Sequence, residues 1–120
     1  MSKTEKLRIL EYLRHIIEAI ERIDRYTEDM TEVQFLEDEK TQDAVIRNFE
    51  IIGEACNNIS KKYPEFASQH NEIPWGFAYE MRNALAHGYH KVDFEIVWKT
   101  IHGNLDLLLD QVKHVLETVQ

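Results

Sequence analysis

Apolar residues in the first segment fall at Leu10, Leu13, Ile16, Ile17, Ile20 and Ile23, in steps of three and four that put them on one side of a helix. The spacing predicts a helix from about Thr4 to Tyr26, with Ser2 and Glu5 as a candidate capping box at its start. A second series with the same period, Val45, Ile46, Phe49, Ile52, Ala55, Cys56 and Ile59, runs until Lys61, Lys62, Tyr63 and Pro64 stop it. Between the two, Thr31 to Leu36 has room for one extra turn. Pro64 to Glu72 reads as a short, polar, irregular connection. Pro74 suits the first turn of a third helix and Gly88 the residue just past its end, so about Pro74 to His87 is expected to be helical. Asp93 then caps a fourth helix with apolar positions from Phe94 to Val119. Gly103 is its weak point, costing about 1 kcal/mol relative to alanine. Phe94, Trp98 and Ile101 recur at helical spacing and are assigned to the core. No segment alternates with period two. The pattern therefore predicts an all-α fold, an antiparallel bundle of four to five helices in a single domain spanning residues 1–120.

Composition narrows the class. The chain has 120 residues with only 4 Gly and 2 Pro, which excludes collagen-like and low-complexity proteins. No apolar run is long enough to cross a bilayer and the first residues lack the apolar stretch of a secretion signal, so a cytoplasmic location is expected. A single cysteine, Cys56, cannot form an internal disulfide and reads as a small buried hydrophobe. The formal net charge of −8 argues against indiscriminate adhesion to nucleic acid or anionic membrane. Most of it comes from residues 28–43, where seven acids meet one base, Lys40. From Arg82 to Gly103 the bases Arg82, Lys91 and Lys99 outnumber Asp93 and Glu95 before any of three histidines is protonated. A local anion site there is compatible with an acidic chain.

The stretch Arg82-Asn83-Ala84-Leu85-Ala86-His87-Gly88-Tyr89 concentrates reactive groups around a helix end. Tyr79, Asn83 and His87 share one helix face, so the Asn83 amide is placed to orient the imidazole. Arg82 lies five residues before His87, about 140° away around an ideal helix. The two converge through the length of the arginine stem or through unwinding at Gly88. An arginine beside a titratable histidine is enough to cleave RNA without a metal: the histidine moves protons while the guanidinium holds the phosphate. One imidazole would have to serve as base and acid in turn, whereas two copies facing each other across a two-fold axis supply one of each. Spacing alone leaves a plainer account open, with His87 as a helix C-terminal cation, Arg82 as a surface ion-pair partner and Tyr89 as packing for the turn. His87 and His90 are three apart, but Gly88 intervenes and no carboxylate sits at zinc-like spacing, so neither a metal nor a cofactor is expected.

Ile73-Pro74-Trp75, Met81-Arg82-Asn83, His87-Gly88-Tyr89 and Val92-Asp93 through Val97-Trp98, with Ala44-Val45 and Ile51-Ile52-Gly53-Glu54-Ala55 upstream, form a series of blocks in order. This series resembles the HEPN superfamily, specifically the HepT-like ribonuclease toxins of HEPN/MNT toxin–antitoxin systems (the DUF86 group). The resemblance spans roughly Ala44 to Trp98. It implies an all-helical homodimer with the motif at a shared cleft and metal-independent endoribonuclease activity on RNA. Arg82 and His87 match the catalytic pair of that family and Asn83 its supporting polar residue. Tyr89 matches the tyrosine that a cognate MNT-type nucleotidyltransferase antitoxin can modify with AMP. Gly76 and Glu80 depart from the pattern, at positions where arginine and glycine are more usual. Glu54 has two readings, a member of a solvated stripe with Arg47, Glu50, Asn57 and Lys61, or a partner for Arg82 or for the second subunit. The rival functions are a non-catalytic HEPN subunit that binds nucleotide or RNA beside a nucleotidyltransferase, and a purely structural helical interaction protein.

Overall fold

The structure, a computed structural model, describes residues 1–87 and 92–120, with residues 82–87 described as backbone alone. Seven helices lie among the described residues: α1 (Lys3–Thr27), α2 (Glu32–Leu36), α3 (Glu39–Lys62), α4 (Pro64–Gln69), α5 (Trp75–His87), α6 (Phe94–His102) and α7 (Asn104–Val119). No strand occurs among these residues. None of the described helices is long and apolar enough to cross a membrane.

Helix α3 is the axis of the bundle, and both α1 and α5 pack along it. Lys62 Nζ meets Tyr12 Oη at 3.3 Å while Arg22 Nη1 donates to Asn48 Oδ1 at 3.3 Å, so α1 and α3 run antiparallel. Helix α7 packs against α1, tied by an ion pair of 3.6 Å between Lys113 and Glu21. All six apolar residues that set the period of α1 are buried, joined by Ile9 and Ala19. All of these but Leu10 merge with Val45, Phe49, Ile52, Ala55, Cys56 and Ile59 of α3 and with Val97, Ile101, Leu105, Leu108, Val112 and Val115 into one continuous core.

Three features depart from the sequence expectation. Helix α3 starts at Glu39, a turn and a half before its apolar series, because the Asp38 carboxylate accepts from the Thr41 amide at 3.0 Å and from its hydroxyl at 2.8 Å. These bonds to the ionised form hold the Asp38 carboxyl below the usual aspartate range. The segment after Pro64 is helical, not irregular. Proline at the first position of α4 needs no amide partner, and Phe66 and Ala67 are buried beneath it. The expected fourth helix is broken in two at Gly103, whose φ of −120° and ψ of −76° lie outside the helical range. Just upstream, the Thr100 hydroxyl donates to the Ile96 carbonyl at 2.9 Å, a back-bond that favours bending.

The extra turn at residues 31–36 is present as α2, with a complete capping box between Thr31 and Gln34. Its Phe35 is fully buried, with ring centroids 6.1 Å from Phe94 and 5.4 Å from Trp98. Ile101 is buried and Phe94 and Trp98 are half-buried against the core, as expected of a packing stripe. Gln42 Nε2 donates to the carbonyls of Phe35 and Leu36 at 3.0 and 3.1 Å, closing the end of α2 onto α3. Truncating Phe35 to alanine is expected to cost about 3–5 kcal/mol, read as a lower urea midpoint at unchanged slope. A loss below about 1 kcal/mol would show that α2 contributes little to the folded state.

Candidate active site

Helix α5 is fastened at its N-terminal end. Ile73 and Trp75 are buried, and the Trp75 indole donates to the Ala67 carbonyl at 3.2 Å while its ring faces Phe66 at 6.5 Å. The Pro74 carbonyl accepts from the Ala78 amide at 3.2 Å, the first intrahelical bond. From α7, Gln111 Nε2 donates to the Glu72 carbonyl at 2.9 Å. The start of α5 is thus held by both α4 and α7.

From this base the α-helical backbone runs unbroken to His87. Arg82, Asn83 and His87 therefore occupy its last two turns. Arg82 and His87 stand about 7.5 Å apart along the axis and about 140° apart around it. By spacing, Arg82 falls at the register of Trp75 and Ala78, and Asn83 and His87 at that of Tyr79. The backbone is helical through His87, and the second route to convergence, unwinding at Gly88, falls outside the described residues. Gly88 and Tyr89 lie outside the described residues. Glu54 is exposed on α3, in the outward stripe where Arg47 and Glu50 pair at 3.8 Å.

One element escaped the sequence reading. Beside α5 an apolar groove of about 180 Å³ opens toward α7, lined by Phe49, Ile52, Phe77, Met81, Leu105, Leu107 and Leu108 among others. Phe77 is 45% exposed and Leu107 61%, high for large apolar side chains at adjoining positions. The signal was available: Phe77 lies off the row of Trp75 and Ala78, and Leu107 off that of Leu105 and Leu108. Deep in the core, burial pushes the Cys56 thiol up to about 12, which removes it from nucleophilic chemistry near neutral pH.

The described residues form an all-α bundle with Arg82 and His87 in the last two turns of α5, the class of fold expected from the sequence. Comparison with known sequences narrows this. The profile described as Ribonuclease HepT-like matches residues 16–115. The chain is 45% identical over 98 residues to "Probable ribonuclease HepT" of Thermococcus cleftensis, covering 82% of this chain and 86% of that protein. It is 35% identical over 106 residues to "Putative RNase TTE0752" of Caldanaerobacter subterraneus subsp. tengcongensis, covering 88% and 92%. It is also 41% identical over 106 residues to "Gamma-glutamylcyclotransferase and putative RNase MJ0434" of Methanocaldococcus jannaschii. That match covers 88% of this chain but only 46% of the relative, so the chain spans just under half of that protein's length. No solved structure gives a significant match. The chain belongs to the HepT-like ribonuclease family.

Proposed function

We infer that the protein is a metal-independent endoribonuclease and the toxin of an HEPN/MNT toxin–antitoxin pair, with Arg82 and His87 as its catalytic residues. The observation that carries this reading is the continuous α5 helix, which holds Arg82, Asn83 and His87 within two turns on a firmly anchored base. In the reaction, an imidazole takes the proton of a ribose 2′-OH as the 2′-oxygen bonds to phosphorus. The bond from phosphorus to the 5′-oxygen breaks, and a protonated imidazole gives that oxygen its proton, leaving a 2′,3′-cyclic phosphate and a free 5′-OH. The Arg82 guanidinium offers paired donors to the phosphate oxygens as charge builds on them. Asn83 is assigned to hold the His87 ring in its working orientation.

Attacking and leaving oxygens lie on opposite sides of the phosphorus, so base and acid are best drawn from two subunits. A homodimer supplies both, and the apolar groove with exposed Phe77 and Leu107 is suited to a second copy of the chain. Sedimentation of the wild type is expected to give about twice the 14.3 kDa chain mass. Leu107→Glu should shift the protein to monomer and remove cleavage with it; a Leu107→Glu dimer of full activity would place the interface elsewhere.

The whole reading is tested by incubating purified protein with RNA in excess EDTA. Cleavage with 2′,3′-cyclic phosphate ends is the expected result. Intact RNA would favour a non-catalytic HEPN subunit.

A further inference from the structure

Four of the six arginines in the chain, Arg8, Arg14, Arg22 and Arg25, lie on α1. The helix turns its apolar row into the core, and all four arginines fall on the opposite half of its circumference together with His15. Arg8, Arg14, His15 and Arg25 are exposed and Arg22 is half-buried. From Arg8 to Arg25 the row is about 26 Å long. Two acids share the face, Glu11 and Glu18, and Glu18 is paired with Arg22 at 3.7 Å. The next two acids, Glu21 and Asp24, sit instead toward its α7 edge. Glu21 pairs there with Lys113, and Asp24, its carboxyl raised above the usual aspartate range by partial burial and then by Asp106, lies close by. The outward face of α1 is thus basic on a chain of net charge −8.

Arg22 is held in place. Its Nη1 donates to Oδ1 of the buried Asn48, and Asn48 is itself fixed by donating through Nδ2 to the Ala44 carbonyl at 2.9 Å. These contacts leave other guanidinium donors free in the groove that His15, Glu18, Arg22 and Ile51 line between α1 and α3. Because α1 and α5 both pack on α3, and packed helices lie about 8–10 Å apart, α1 and α5 are within about 20 Å of each other.

We propose that the outward face of α1 is the platform that holds backbone phosphates of the RNA strand, away from the bond being cut. This rests on the ribonuclease reading and adds to it a substrate class: a single strand long enough to reach from α5 across α3 to α1. From Arg8 to Arg25 the permanently charged bases of the helix are all arginine, whose planar fork matches phosphate oxygens, rather than the more hydrated lysine. Two exposed large apolar side chains, Leu7 and Tyr26, stand at the two ends of the arginine row, and between them the face is polar, which favours a phosphate backbone over an apolar partner.

The test uses the full chain carrying His87→Ala, so that RNA stays intact, and a fluorescent 20-nucleotide single-stranded RNA read by polarisation across a salt series. Adding Arg8→Gln, Arg14→Gln and Arg25→Gln should weaken binding about tenfold or more and lower the slope of log affinity against log salt by about 2, for three phosphate contacts on a single strand. The matching triple lysine variant should retain most of the affinity, and all variants should keep their helical circular dichroism. Unchanged affinity and slope in the triple glutamine variant would overturn the proposal. So would an unchanged RNA affinity accompanied by lost co-purification with a nucleotidyltransferase, which would make α1 a protein interface. Wild-type protein that binds through α1 but never cuts would sink the nuclease reading and leave this inference standing.

Discussion

Alanine in place of His87 leaves a folded protein whose RNA cleavage falls by about 10²–10⁴-fold, the range typical of a positioned proton-transfer group. Arg82→Ala is expected to lose a comparable amount for a different reason. The guanidinium moves no proton but faces charge that grows on the phosphate oxygens, so its removal should lower kcat more than it raises KM. Lysine at position 82 should restore only part of the rate, since a point charge does not reproduce two parallel donors. Alanine is the best helix former, so neither replacement should unwind α5. Rates measured in EDTA with helical content checked in parallel decide the matter. Either alanine variant cutting at the wild-type rate would remove that residue from the mechanism.

Tyr89→Phe is expected to cut RNA as the wild type does, yet to escape inhibition when a cognate MNT-type nucleotidyltransferase is co-expressed. In the wild type the phenolic oxygen would take AMP from ATP, with pyrophosphate leaving, and the peptide bearing Tyr89 would gain the mass of one or more AMP groups. Two residues beyond His87, such an adduct adds bulk and negative charge where an RNA phosphate must approach. Phenylalanine keeps the ring and removes the acceptor atom. Mass spectrometry of the co-expressed complex reads the adduct directly. An inactive complex with an unmodified Tyr89 peptide would assign the inhibition to steric occlusion instead.

The long helices were legible because burial on one side forces a period of 3.6, and α1 and α3 carry it across about four turns each. The connections were less so. Residues 64–72 hold two buried residues, Phe66 and Ala67, among polar neighbours, too few to set a period, so α4 emerges only when Trp75 folds back on it. The break at Gly103 was marked as a weak point but not as a break, because the apolar series passes through it in phase. Its angles are a tertiary outcome of α6 meeting α2 while α7 follows α1. For the candidate site, order and spacing located Arg82, Asn83 and His87 at the end of α5. The groove at Phe77 and Leu107 was only half legible: spacing sets both off the buried rows, but that they adjoin across α5 and α7 is an outcome of tertiary packing.

The solitary thiol has a practical corollary. Cys56 is fully enclosed and its thiolate is suppressed, so maleimides and other alkylating probes will pass it by while the fold is intact. A reporter cysteine placed anywhere on the surface can then be labelled on the natural background, without first building a cysteine-free protein. Dyes attached to α1 and to the tip of α5 would follow a bound strand in real time, and accidental oxidation during purification is a minor concern.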